Sequence, residues 1–270
     1  MWSYLTGNKK EKVVPKYIYN FKRQKEDVRD LQFNYVFTHS ILPTKFSLRK
    51  DMPPVLDQGR LGSCVSNATA NALRHCLKKE HLIEFAPSRL YMYYYTRLIE
   101  GNPNEDTGTT IRDMMKELNT YGDCHEDLWP YDILQFAKRP SNKCTKEGLT
   151  HIKNVKYRAV RQNLNTIKSA LFSGYPVIFG CQVFESFQSN ESIRTGNIPM
   201  PDTNREELLG GHCVSLCGFD DSTKLFTFQN SWSIGSEEHP IGDKGYFTLP
   251  YEYVVSKRLC SDFWIVNFWN

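Results

Sequence analysis

The chain has 270 residues, of which 40% are hydrophobic, 13% aromatic and 24% charged, with a formal net charge of +4. That length suits one large domain or two packed lobes, and the composition excludes a disordered chain, a coiled coil and a collagen-like repeat. No apolar run approaches the roughly 18 residues of a spanning helix, so the chain reads as soluble.

The charge is unevenly placed. Residues 1–30 hold eight basic side chains (Lys9, Lys10, Lys12, Lys16, Lys22, Arg23, Lys25, Arg29) against four acids, leaving 26 of each sign in residues 31–270. A basic head can meet nucleic acid or an acidic surface, but nothing else resembles a nucleic-acid module, and the head reads as a solvated terminus. Eight cysteines are present: Cys64, Cys76, Cys124, Cys144, Cys181, Cys213, Cys217 and Cys260. The first ten residues lack the apolar stretch of a signal peptide. The expectation is therefore a reducing, cytoplasmic setting with free thiols, with virion association if the source is viral. No Cys-x-x-Cys occurs and no His/Cys group has zinc-finger spacing, so no metal is expected.

Along the chain, residues 1–41 form a basic, Tyr- and Phe-containing extension without a sustained period. Pro43, Pro53 and Pro54 bracket an extended entry. The glycine-punctuated loop Gln58-Gly59-Arg60-Leu61-Gly62-Ser63-Cys64 follows. From Cys64 to Lys79 small and apolar residues recur four apart (Cys64, Ala68, Ala72, Cys76), predicting a buried helix with Ser63 as N-cap. Further helices are predicted over 87–99, over 110–121 with Gly122 as the stop, and over 164–172. Residues 123–150 read as loop-rich. The β-rich runs 176–183, 212–219, 224–230, 245–249 and 263–268 follow, so the order is helices first and strands after: α+β, in two lobes.

Asp220-Asp221-Ser222 is a turn signal between two alternating runs. A hairpin symmetric about Asp221 sets His212 opposite Asn230, where an amide carbonyl can hold the imidazole in one tautomer. Cys64 at a helix N-terminus, near an imidazolium, is expected to ionise below the free thiol value of about 8.5. Gln58 and the Cys64 N–H would then supply two donors to a developing oxyanion.

These three segments, Gln58–Cys64, Gly211-His212-Cys213-Val214 and Gln229-Asn230-Ser231-Trp232-Ser233, resemble the papain/cathepsin cysteine peptidases, with the His and Asn 148 and 166 residues after Cys64. The resemblance runs from Leu42 to the C-terminus. It implies a helical left lobe, a β-rich right lobe and a cleft between them, with residues 42–270 as the peptidase domain. It also implies peptide-bond hydrolysis through an acyl-enzyme, with Cys64 as nucleophile, His212 as acid/base, Asn230 as orienter and Gln58 in the oxyanion hole. Trp232 resembles the aromatic cover over the His–Asn bond. Thr107 and Gly108 lie where the family has its substrate edge, and Gly211 and Cys213 flank the histidine beside a substrate pocket. The implied partner is a polypeptide, with no metal or organic cofactor.

The sequence departs from the family pattern in four places. Leu61 replaces the first cysteine of the signature, so the family disulfide there cannot form. Val65 replaces an aromatic, and Asp106-Thr107-Gly108 stands in for a Gly-Gly pair. The 41-residue extension is shorter than the usual inhibitory propeptide and resembles that of unsecreted bacterial and viral members. Its apolar stretches, residues 16–21 and 31–37, are expected to pack along the domain, either occluding the cleft or bracing the lobes. The residues leave three other readings open. One is a silent binding protein on the same fold, another a Cys-His acyltransferase or deamidase. The third is an exopeptidase whose loop over 123–150, with His125, blocks one end of the cleft.

Overall fold

The computed structural model describes residues 14–34, 42–82, 84–151 and 155–268. Helix α1 (Cys64–Lys79) begins at the cysteine itself. It is buried on nearly every side, because Ala68, Ala70 and Ala72 allow close approach while Val65, Leu73, Cys76 and Leu77 fill the space around them. Ser63 occupies the N-cap position, but its side chain makes no cap bond. Its hydroxyl meets the Tyr131 hydroxyl and accepts from Asn67 Nδ2 at 3.0 Å instead.

Helices α2 (Arg89–Ile99) and α3 (Ile111–Thr120) start at side-chain caps, Ser88 accepting from Tyr91 N–H and Thr110 from Asp113 N–H. α3 ends before Gly122, whose φ of +67° favours glycine. Helix α4 (Asn142–His151) corrects the loop-rich reading of residues 123–150. Its apolar positions, Cys144 and Leu149, are too sparse to show a period, and Cys144 alone is buried. Helix α5 (Leu164–Phe172) falls where the apolar spacing places it, and two short helices, α6 (Asn190–Thr195) and α7 (Tyr251–Val255), were unmarked.

Among the described residues seven strands complete the fold: β1 (Lys45–Ser47), β2 (Val155–Ala159), β3 (Val177–Phe184), β4 (Leu208–Asp220), β5 (Leu225–Gln229), β6 (Tyr246–Pro250) and β7 (Cys260–Phe268). They form one antiparallel sheet in the order β2-β7-β3-β4-β5-β6, with β1 also paired to β4. Strand alternation divides the core. Ile178, Cys213, Trp264 and Val266 point toward α1 and α3, while Phe179, Val214, Ile265 and Phe228 join a second core with α5 residues Ile167 and Leu171. Each large side chain so buried contributes roughly 1.5–3 kcal/mol, and both faces of the central strands are in use. The result is the two-lobe α+β architecture.

The β4–β5 hairpin differs from the symmetric register. Asp220 pairs with Leu225 and Ser215 with Gln229, with a register shift between Leu216 and Gly218. The turn takes four residues, 221–224, with Lys224 at φ +55°. The longer turn and the bulge displace the expected His212–Asn230 pairing from the ladder, whose last pair is Ser215–Gln229.

Candidate active site

Cys64 is fully buried at the head of α1. Its thiol is pushed up to about 12, chiefly by loss of solvent and further by the charge of Asp106. The backbone N–H groups of Cys213, Val65 and Cys64 itself act in the opposite sense by hydrogen bonding to the sulfur. The sequence pointed to an acidified thiol. In the closed arrangement burial wins, because a helix N-terminus contributes about 0.3–1 kcal/mol, whereas three pKa units correspond to about 4 kcal/mol.

His212 lies on β4, next to the residue whose N–H reaches that sulfur, and it too is fully buried. Its Nε2 lies 2.9 Å from Asn230 Oδ1. Because Oδ1 also accepts from Ser231 N–H at 2.8 Å, the amide is fixed oxygen-inward. A carbonyl oxygen only accepts, so Nε2 carries the proton and Nδ1 is left with a lone pair and no hydrogen-bond partner among the described residues. Burial pulls the imidazole down to about 4 against the opposing pull of Asn230. Trp232 stacks on the His212 ring, centroids 5.0 Å apart and planes 20° apart. The side chains of His212 and Asn230 thus meet beyond the end of the ladder.

Gln58 is fully buried. Its Nε2 donates to Leu61 O at 3.0 Å and its Oε1 accepts from Ser231 Oγ at 2.8 Å. An amide nitrogen has two hydrogens, and the second makes no protein hydrogen bond among the described residues.

The residues expected to meet substrate are in contact with the chain's own residues 17–22. Tyr17 stacks on Trp232, Gly211 N–H donates to Tyr19 O at 3.2 Å, and Phe21 N–H donates to Gly211 O at 3.0 Å. Lys22 N–H donates to Thr109 O at 3.2 Å and Lys22 Nζ to Thr107 Oγ1 at 3.2 Å. Gly108, at φ +66°, has the Asn20 carbonyl oxygen only 1.9 Å from where a Cβ would stand. Cys213 faces the α1 core rather than this surface. The basic head is therefore no free tail over residues 14–34, while Lys9, Lys10 and Lys12 fall outside the described residues, as do residues 35–37 of the 31–37 stretch. His125 is committed elsewhere: its ring stacks on Phe85 and its backbone N–H donates to Glu147 Oε1 at 3.2 Å.

Sequence reasoning missed three side chains. Ser231 links Gln58 to the Asn230 loop. Asp106 accepts from Gly62 N–H and, through Tyr93, is tied to Gly108. Only the break in the glycine pair at Asp106 marked that position in the sequence.

Among the described residues, no group of three or more His, Cys, Asp or Glu side chains is gathered as a metal requires, and no helix is long and apolar enough to cross a membrane.

A helix-headed cysteine beside a His–Asn pair on an antiparallel sheet defines a papain-like cysteine peptidase. Residues 42–260 match the papain family of cysteine proteases. An uncharacterized peptidase C1-like protein of Acanthamoeba polyphaga mimivirus is 39% identical over 257 residues, spanning 90% of this chain and 80% of its own. The crystal structure of xylellain, a cysteine protease from Xylella fastidiosa, superposes with a TM-score of 0.84 at 35% identity, covering 93% of this chain and 96% of that one. Digestive procathepsin L 3 of the Tenebrio molitor larval midgut shares the fold at 18% identity and a TM-score of 0.69, covering 93% and 76%. This chain belongs to the papain family of cysteine proteases.

Proposed function

We propose that the chain is an endopeptidase that cleaves peptide bonds through a Cys64 thioacyl-enzyme. One observation carries the reading: His212, whose Nε2 lies 2.9 Å from Asn230 Oδ1 and whose Nδ1 has no hydrogen-bond partner among the described residues, adjoins Cys213, which packs in one core cluster with Cys64 at the head of α1. In this mechanism Nδ1 takes the thiol proton and the thiolate attacks the scissile carbonyl. Gln58 Nε2 and the Cys64 N–H stabilise the oxyanion, and the imidazolium returns its proton to the leaving amine. Water then attacks the thioester, with His212 as base, and frees the acid. Asn230 holds the ring throughout.

Residues 14–34 act as a built-in mask in this reading. They engage Trp232, Gly211, Thr107 and Gly108 together, and Tyr19 lies edge-on to His212; both Cys64 and His212 are kept neutral by burial. Their removal returns water to the site, which lowers the thiol and raises the imidazole toward an ion pair.

The test is labelling with a thiol-directed epoxide followed by mass spectrometry, alongside peptide turnover. Adduct at Cys64 alone, lost in His212→Ala, with turnover abolished in Cys64→Ala and retained in Cys76→Ala, is the expected result. Turnover by the Cys64→Ala protein would refute the mechanism.

A further inference from the structure

Leu61 stands where the family signature has a disulfide-forming cysteine, so no covalent tie fastens the loop that delivers Cys64. A different tie is present. Gly62 N–H, two residues before the nucleophile, points between both oxygens of Asp106, at 3.0 and 3.1 Å. Tyr93, fully buried on α2, donates its hydroxyl to Asp106 Oδ1 and accepts from Gly108 N–H at 3.2 Å. The chain of bonds thus runs from the nucleophile loop through one carboxylate and one phenol to the glycine edge.

The supports beneath it are also built. Arg97 lies over the Tyr93 ring at 4.1 Å from the centroid. Its guanidinium donates to the carbonyls of Pro103, Glu105 (2.9 Å) and Phe136 (2.5 Å), so the turn that presents Asp106 is pinned to α2 from below. Gly62 is buried and has Asn20 directly against its Cα, so its N–H has no water to turn to if the carboxylate is lost.

We propose that Asp106 is a positioning residue, a non-covalent replacement for the missing disulfide, whose carboxylate holds the Gln58–Cys64 loop in register with the Gly108 edge. It acts through the Gly62 peptide, to which it is bonded, while its charge adds a smaller push on the Cys64 thiol. Its effect on rate rests on the peptidase reading, whereas its effect on the loop does not. A charge-assisted bond of this kind resists loop motion, and displacement of a reacting group by about 1 Å can cost up to 100-fold in rate.

The test uses the full chain with Asp106→Ala, Asp106→Asn and Asp106→Glu. Amide exchange over residues 59–64 reads the clamp, and kcat per epoxide-titrated site reads its catalytic consequence. Asp106→Ala should speed exchange at least about tenfold and lower kcat per titrated site about 10- to 100-fold with KM changed less than about threefold. Asp106→Asn, which keeps an acceptor oxygen in place, should recover both to within about threefold of the wild type. Asp106→Glu keeps the charge but moves the oxygens by a methylene, and it should fall well below the asparagine variant; it serves as the displaced-clamp case if the alanine protein does not fold. Unchanged exchange in Asp106→Ala, unchanged kcat per site, or an equal loss in the asparagine variant would each overturn the proposal. A wild-type chain that turns over no peptide would remove the peptidase reading, and the exchange measurement would still decide the clamp.

Discussion

Tyr17 lies flat on Trp232, ring centroids 4.2 Å apart and planes within 3°, and Trp232 in turn lies on His212. The three rings form one stack whose outermost member comes from the segment before Leu42. Such a ring pair contributes about 0.5–1.5 kcal/mol beyond its buried area. Tyr17→Ala should therefore raise the uncovered fraction, and with it the rate of the full chain on a short peptide, by about tenfold. An unchanged rate at sub-saturating peptide would show that this segment does not mask the site.

Further along the same segment, Asp30 pairs with Arg112, each side chain about 15% exposed (15% and 14%). Arg112 also donates to Lys25 O at 2.8 Å and, through its backbone N–H, to Gln24 Oε1 at 2.9 Å. Asp30→Ala leaves a largely enclosed guanidinium without its carboxylate, which costs more than the loss of an exposed pair. Limited trypsinolysis should cut after Arg23, Lys25 and Arg29 several-fold faster than in the wild type. Asp30→Asn, which retains one acceptor, should lie between the two. Equal cutting rates in all three proteins would mean that this pair does not hold the segment.

Much of the fold was legible because it rests on local pattern. The residues 64–79 and 164–172 carry unbroken apolar spacing and fold as helices over those spans. The core strand β3 announces itself as a β-branched and aromatic run, and the alternating residues 212–219 mark most of β4. What escaped depends on tertiary context. α4 is held by Cys144 in a cluster with Tyr91, Tyr95 and Cys124, a partnership no window of sequence shows. The hairpin register escaped because a bulge near Cys217 leaves no local mark, yet the residues it concerned still meet through an imidazole long enough to bridge the offset. The neutral state of the thiol was invisible because it depends on burial by distant parts of the chain, which no local period records.

Two buried carboxylates also went unmarked. Glu117 on α3 and Asp123 are fully enclosed, and their side-chain oxygens have no hydrogen-bond partner among the described residues. Burial pushes both well above the ordinary carboxylate range; the charge of Asp123 adds to the rise at Glu117, and those of Glu126 and Glu147 add to it at Asp123. A carboxyl that keeps its proton only in the folded chain stabilises the fold below its unfolded value, near 4.5 for Glu, and loses that contribution as pH rises. Glu117→Gln removes the group that must either stay protonated or ionise without water. Its melting temperature should exceed the wild type's at pH 8, by roughly 2–4 °C for each kcal/mol gained, and the two should converge near pH 4. A wild-type melting temperature that rises between pH 5 and 8 and equals that of Glu117→Gln throughout would overturn this account.

The sign is opposite at His212. Covered, this ring takes up its proton only near pH 4, against 6.5 for an imidazole in water. Between those values an uncovered site whose thiol keeps its proton binds more protons than the covered one, so acid favours uncovering. The contribution of the neutral ring is fully present above pH 6.5 and fades as pH falls toward 4. A shift of that size corresponds to something on the order of 3 kcal/mol, more than a single ring contact such as Tyr17–Trp232 supplies. In the covered form Cys64, pushed up to about 12, keeps its proton across this window. The chain can be held at each pH, then returned to pH 7 for a brief thiol-labelling pulse. The fraction labelled at Cys64 should rise as the holding pH drops from 6.5 to 4. His212→Ala has no imidazole to protonate, so its labelled fraction should not depend on holding pH. A wild-type profile as flat as that of the variant would show that protonation of His212 does not open the site.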